Sequence, residues 1–433
     1  MLPFQQKLTN FFYVILGLPA TAMGFGLSIQ IAVLSWILRT QYNLDIHEIG
    51  IVWAAGPIAG IIGQPIVGMI SDGVWFWGGR RRPFIFIGGV LAALSILALP
   101  YIGLINESLG IGSIIAVAIT VALTLDLSIN ISFNPTRAII ADVTPDGPPR
   151  TKGYTWMQAI SNFFGAGAYL IAALIGNFTL IYIGVAVVFL FSVIPMLFIE
   201  EPRNIKSVED EHVKATRTDW ADLFKIYFAH AFSWLGIQTM FIYSIAFFEQ
   251  RFAFDPEIFA SMEEYENYLG RVIGWSFFIL NAAGAVFPIV LLEPLSKKIG
   301  KVNTHMLAVA SMSLGYFMIV WLVKDTLTMY MIFILLSIGW AAVVSLPFAI
   351  MTEKVNKMKM GFFMGIFNLS VVIPQLGASF VIGYFIEHAE NKTLVYWIAA
   401  ISLAISAALW ILVKEKSAHV LENGEKIAGG EHH

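Results

Sequence analysis

The sequence predicts an all-α membrane protein, with twelve transmembrane helices in two six-helix bundles around a central cavity. Three observations predict it. The 433 residues are 58% hydrophobic and only 13% charged, where a soluble chain carries about 25% charged residues, so polar surface is too scarce to cover a water-soluble body. Twelve apolar runs reach the ~20 residues that a spanning helix needs. Basic residues fall almost wholly in alternate loops, as membrane topology demands.

The runs lie near residues 11–38, 49–71, 83–103, 112–142, 155–176 and 178–199, then 221–249, 272–296, 304–323, 327–352, 361–386 and 394–413. The first, fourth and seventh are long enough to tilt or project. One set of alternating loops holds 20 of the 26 Lys and Arg residues, from Lys7 and Arg80-Arg81-Arg82 to Lys426; the opposite set holds Arg39, Arg251, Arg271, Lys324 and Lys392. A missed helix would scramble this pattern, so both termini are expected to be cytoplasmic, in a cell inner (plasma) membrane. The charged stretch 200–220 divides an N-terminal bundle (1–199) from a C-terminal one (221–416), and 417–433 is a polar tail. Arg137-Ala138-Ile139-Ile140-Ala141-Asp142 is weakly echoed by Phe348-Ala349-Ile350-Met351-Thr352-Glu353, and Gln64-Pro65-Ile66-Val67 by Phe287-Pro288-Ile289-Val290.

Net charge is −3 and cysteine is absent, so nucleic-acid partners and thiolate chemistry are not expected. The histidines lack metal-ligand spacing, and there is no Walker loop or Gly-rich nucleotide fingerprint. Neither a cofactor, a metal nor an enzymatic reaction is expected, and nothing suggests more than a monomer. A solute carrier driven by a gradient, or a facilitative one, fits best.

Ionisable groups at membrane depth are functional candidates because they are costly to bury. Asp126 lies in mid-span. Arg137 follows eleven residues later, about 16 Å along the same helical face, and Asn130 shares that face one turn on. A carboxylate, an amide and a guanidinium in one stripe suit a hydroxyl-rich ligand, with Arg137 pairing with Asp126 or with Asp142 as the site rearranges. The competing role for Arg137 is to reach the cytoplasmic surface and stay on Asp142. A carboxyl removed from water favours its neutral form, which makes Asp126 the candidate for proton exchange, with Glu249 as a second relay acid or a solvated residue at a helix end. The first two spans contain no acid, so proton coupling is favoured over sodium. Asp72, Arg80 and Arg81, with Asp142, form a candidate cytoplasmic gate. Gln30, Gln64, Gln158, Asn162, Gln238, Asn281, Asn368 and Gln375 are candidate cavity amides, or else interhelical hydrogen bonds, and Trp234, Gln238 and Phe241 make a stripe that alternates stacking surface with an amide.

Several blocks together resemble the glycoside–pentoside–hexuronide branch of the major facilitator superfamily, and within it the sucrose-transporter-like group. They are Gly56-Pro57-Ile58-Ala59-Gly60, Gln64-Pro65-Ile66-Val67-Gly68, Ser71-Asp72, Gly79-Arg80-Arg81-Arg82-Pro83-Phe84-Ile85, Asp126 with Asn130, Pro135-Thr136-Arg137-Ala138, Ala141-Asp142, Ser345-Leu346-Pro347-Phe348-Ala349, Met364-Gly365-Ile366-Phe367-Asn368-Leu369 and Ile373-Pro374-Gln375. The resemblance implies a proton-coupled importer of sucrose, maltose or another glucoside. It also implies that Asp126 binds the proton and recognises sugar, that Arg137 is a charge partner responding to protonation, and that an acid works near the seventh helix, where Glu249 stands beside Arg251. A sodium-coupled or uncoupled carrier of the same fold, or a non-transporting sugar sensor, are the alternatives.

Overall fold

The structure is a computed structural model and describes residues 3–145, 148–202, 220–352, 354 and 360–414. Side chains at some positions inside its helices, Gln64 and Asp72 among them, lie outside that description. Ten helices among the described residues are long and apolar enough to cross a membrane, and Ile46–Ile61 and Leu394–Trp410 are shorter apolar ones. A helix satisfies its backbone hydrogen bonds internally, which is what apolar runs of this length require in lipid.

In chain order, α1 is Asn10–Thr40, and α2 runs in two pieces, Ile46–Trp53 and Ala55–Gly73. Helix α3 runs from Arg82 to Leu109 through a tight turn at Leu99–Tyr101, and α4 is Ile114–Val143. Helices α5 (Pro148–Leu174) and α6 (Asn177–Phe198) follow. Helix α7 is Trp220–Arg251, α8 runs from Met262 to Ile299, and α9 is Lys301–Leu322. Helix α10 comprises Thr326–Val343 and Leu346–Thr352, α11 runs from Met360 to His388, and α12 is Leu394–Trp410. Both α8 and α11 contain a wide π-turn, at Pro288–Leu292 and Ala378–Ile382.

Helix starts follow from local chemistry. Thr9, Ser113, Ser261 and Asp325 each accept a hydrogen bond from an N–H of the first turn, and Asp45 forms a full capping box with Glu48, at 2.7 and 2.9 Å. Each cap satisfies a donor that the helix itself leaves orphaned. This chemistry also corrects one expected boundary: α8 begins ten residues before its apolar run, because Ser261 caps it and Glu263 and Glu264 sit favourably in its first turn. The short α5–α6 join works because Gly176 takes a φ of 119°, a region closed to most side chains.

Helix α1 packs on α5 and α6 and α4 on α2 and α3, forming one set; α12 packs on α7 and α9 and α10 on α8 and α9, forming the other. The two sets meet at the end of the molecule opposite Glu200 and Trp220. There α5 lies against α8 so tightly that a Cβ on Gly274 would stand 2.6 Å from the backbone nitrogen of Ala173, and a Cβ on Gly50 of α2 would overlap the Tyr243 hydroxyl of α7. Ring contact between Tyr169 and Phe277 (6.1 Å) continues the α5–α8 seam inward. Below, we call this the sealed end and the other the linker end. The two weak repeats of the sequence fall on α2 with α8 and on α4 with α10.

Candidate functional site

Asp126 is 4% exposed in the middle of α4. Its carboxylate accepts a hydrogen bond from the Gln30 amide of α1 at 2.9 Å. From α2, Gly56 comes so close that an added Cβ would sit 3.3 Å from the same oxygen. Three helices therefore converge on one carboxyl, and the side chain that donates to it is an amide instead of a cation. Asn130 bonds back to the Asp126 carbonyl at 2.8 Å, not to the carboxylate.

Arg137 shares the face of Asp126 but lies three turns further along, exposed, with its guanidinium 4.2 Å above the Phe133 ring. Among the described residues no carboxylate forms an ion pair with it. Of the two partners open to Arg137, Asp126 bonds Gln30 and Asp142 is held by Arg80 at 3.2 Å and Arg81 at 3.3 Å. The physical reason is the loop before α3. Trp77 and Gly78 both take positive φ, 49° and 76°, and Phe76 and Gly79 bond reciprocally across them, which is the primed turn that reverses a chain tightly. It delivers three successive N–H groups, of Arg80, Arg81 and Arg82, to the carboxylate of Glu201 at 2.7–3.0 Å. An anion at a helix N-terminus is stabilised by those N–H groups and by the helix dipole. In the other half, Asp222 bonds Lys225 at 3.0 Å and the buried Lys354 at 2.6 Å.

At the sealed end the polar contacts cross between the halves. Arg39, at the end of α1, donates through Nε to both oxygens of Glu249 of α7 at 3.0 and 3.1 Å. The Gln41 amide reaches Glu266 at 3.1 Å, and the Ile46 N–H donates to Glu387 at 2.7 Å. Glu249, expected as a second relay acid or a solvated residue at a helix end, stands partly exposed near the end of α7 as half of a bridge between α1 and α7.

The two amides of α5 mark the cavity. Gln158 and Asn162 bond each other at 2.8 Å and are exposed. They lie on the same helical face as Tyr169 and Ala173, which pack on α8 at the sealed end. One face of α5 is thus buried against the other half at one end and open at the other, so the cleft opens toward the linker end.

The C-terminal wall is aromatic. The expected stripe of Trp234, Gln238 and Phe241 lies on α7, and Gln375 of α11 donates to Gln238 at 3.2 Å. Trp340 of α10 stands edge-on to Trp234 (6.2 Å) and to Phe241 (5.4 Å), and its N–H reaches Asn281 at 3.3 Å. Asn368 is half-buried on α11. Sequence reasoning missed Trp340, Glu201, Arg39 and His230. A signal existed for two of them: Glu201 follows α6 in the same set of alternating loops as Arg80-Arg81-Arg82, and Arg39 is one of the few basic residues of its loop set.

Twelve apolar helices, paired halves and a cleft open at one end define a multi-span membrane carrier architecture. The profile of the family described as Major Facilitator Superfamily matches residues 17–379, and the chain belongs to that superfamily. It is similar to the sucrose transport protein SUT2 of Oryza sativa subsp. indica, at 24% identity over 422 residues, covering 82% of this chain and 83% of the relative. It is also similar to the sucrose transport protein SUC4 of Arabidopsis thaliana, at 25% identity over 424 residues, covering 84% and 82%. Among solved structures, a D-xylose-proton symporter aligns with a TM-score of 0.69 at 15% identity, covering 94% of this chain and 99% of that one. The nucleoside transporter NupG aligns with a TM-score of 0.69 at 13% identity, covering 94% and 100%. These two are likenesses of fold.

Proposed function

We propose that this chain is a proton-coupled sugar symporter that imports a disaccharide or glucoside of the sucrose or maltose type by alternating access. The observation that carries the proposal is the Asp126 carboxyl, buried among α1, α2 and α4 with Gln30 as its partner. An amide serves both protonation states. Its NH2 donates to a carboxylate, and after rotation its carbonyl accepts from a carboxylic acid. Asp126 can therefore gain and lose a proton while keeping a hydrogen bond. In the neutral form its carbonyl oxygen can still accept from a sugar hydroxyl. Arg137 stands further down the cleft as the mobile charge that answers the change. The similarity to sucrose transport proteins along most of the chain supports the substrate class.

In this reading the halves 1–199 and 221–416 rock about the site, and the linker end faces the cytoplasm because the basic loops lie there. The Arg39–Glu249 bridge and the glycine contacts close the outer gate. The Arg80, Arg81 and Asp142 cluster belongs to the inner one. Exposed Gln158 and Asn162, with Trp234, Gln238, Phe241 and Gln375 opposite, line the sugar path.

In proteoliposomes, Asp126→Asn is expected to abolish proton-driven accumulation while sugar exchange down its own gradient persists. Uphill uptake in that variant would overturn the role of Asp126. Sugar-induced alkalinisation of a sodium-free medium is the companion test of the coupling ion, and a strict sodium requirement would overturn proton coupling.

A further inference from the structure

His230 lies one turn before Trp234 on α7, and it is 2% exposed. Its Nε2 accepts the indole N–H of Trp234 at 2.9 Å. A ring nitrogen that accepts leaves the proton on the other nitrogen, so the tautomer is set. The imidazole is itself immobilised, because it stacks on Phe367 of α11 with ring centres 4.8 Å apart and planes within 15°. Trp234 in turn stands edge-on to Trp340, at 6.2 Å and 77°.

An imidazole inside a spanning helix carries a burial cost that a leucine would not. Stacking on Phe367 needs only a flat or apolar ring, and leaves the acceptor unexplained. The acceptor is explained by Trp234. An indole on a helix swings about two side-chain torsions, and a ligand that needs it in one orientation must meet the cost of freezing it. Tying its N–H to a ring that cannot move removes that cost in advance. Trp340 is tethered in the same manner, through its N–H to Asn281 at 3.3 Å. The C-terminal wall of the cleft therefore presents two indoles, each fixed by its own acceptor.

We infer that His230 is a positioning residue for sugar binding. It holds the Trp234 indole plane in the orientation against which the C–H face of a pyranose ring stacks, without touching the sugar itself. This rests on the sugar-carrier reading above. His230 acts through binding and not through the rocking of the halves, so its loss raises KM and spares kcat.

The test is uptake of a glucoside panel by His230→Phe, which keeps the stack on Phe367 and removes the acceptor, and by His230→Gln, which restores an acceptor near the same place. The expected result for His230→Phe is a KM raised at least about fivefold with kcat within about twofold; fivefold corresponds to ~1 kcal/mol, the worth of one hydrogen bond. His230→Gln recovers most of the loss, and in a Trp234→Phe background His230→Phe adds nothing. The indole N–H resonance of Trp234, identified by its loss in Trp234→Phe, moves upfield in His230→Phe. An unmoved KM in His230→Phe, equal loss in both His230 variants, or full additivity with Trp234→Phe overturns the inference. If wild-type protein takes up no glucoside, the sugar-carrier reading falls and the inference with it, whereas wild-type uptake with an unmoved KM in the variant overturns the inference alone.

Discussion

Two carboxylates of this chain, Asp126 and Glu249, live under opposite terms. Asp126 is 4% exposed and meets the amide of Gln30 at 2.9 Å. Glu249 sits at the seam of the sealed end, its side chain 26% exposed, and meets the guanidinium of Arg39 at 3.0 Å. A guanidinium stays charged at any physiological pH and rewards its partner for staying charged too. An amide has no such preference. The difference teaches where each free energy goes: the bridge at the seam holds two helices together, while the amide-bound acid keeps its charge negotiable. Under the proposed symport, proton exchange belongs to the amide-bound acid and latching to the bridge.

The strongest way to break this contrast is to give Asp126 the terms of Glu249. Gln30→Lys places a permanent cation beside Asp126 and is expected to abolish sugar-dependent proton uptake in proteoliposomes. If proton coupling survives, the neutral partner is not what makes Asp126 exchangeable. A smaller effect is expected at the seam. Gly274→Leu puts a side chain into the backbone of α5, where only 2.6 Å separates an added Cβ from the Ala173 nitrogen. Close packing tolerates no such overlap, so the halves should part at that end. The chain has no cysteine, so a single thiol introduced at Ala172, buried in α5 against Gly274, reports on the seam, and its labelling should quicken at least about tenfold, or ~1.4 kcal/mol. Unchanged labelling would show that the seam closes without this contact. Smallest is Glu249→Gln. A partly exposed ion pair contributes ~0–1 kcal/mol, so labelling at the same thiol should rise by no more than about fivefold, with proton stoichiometry unchanged. A loss of coupling in Glu249→Gln would move Glu249 into the proton path and dissolve the contrast.

Much of the fold was legible because lipid enforces it. Apolar length and the alternation of Lys and Arg gave the spans, and the misjudged start of α8 came from trusting apolarity where Ser261 and two glutamates decide. Within the site, Asp126 stood out because a lone acid in an apolar run is conspicuous, and Trp234, Gln238 and Gln375 showed as helical stripes. Contacts between helices distant in sequence were hidden. Nothing local pairs Arg39 with Glu249, which are 210 residues apart, or marks Gly50 and Gly274 as places where one half presses on the other. Arg137 lies on α4 with Asp126, yet three turns of separation leave it on Phe133, and a turn built on Trp77 and Gly78 hands Asp142 to other arginines.

The wide turn at Ala378–Ile382 of α11 has an effect on aim. It inserts an additional residue into a single turn, and one residue is worth about 100° of rotation. Everything from Gly383 onward therefore faces a different compass point than counting in sevens from Gln375 would give. Glu387 reaches the Ile46 N–H at 2.7 Å from that rotated segment. The upper and lower parts of α11 are thus clocked independently, one toward the cleft and one toward α2, and a single covalent rod serves two bearings that a uniform helix would have to reconcile.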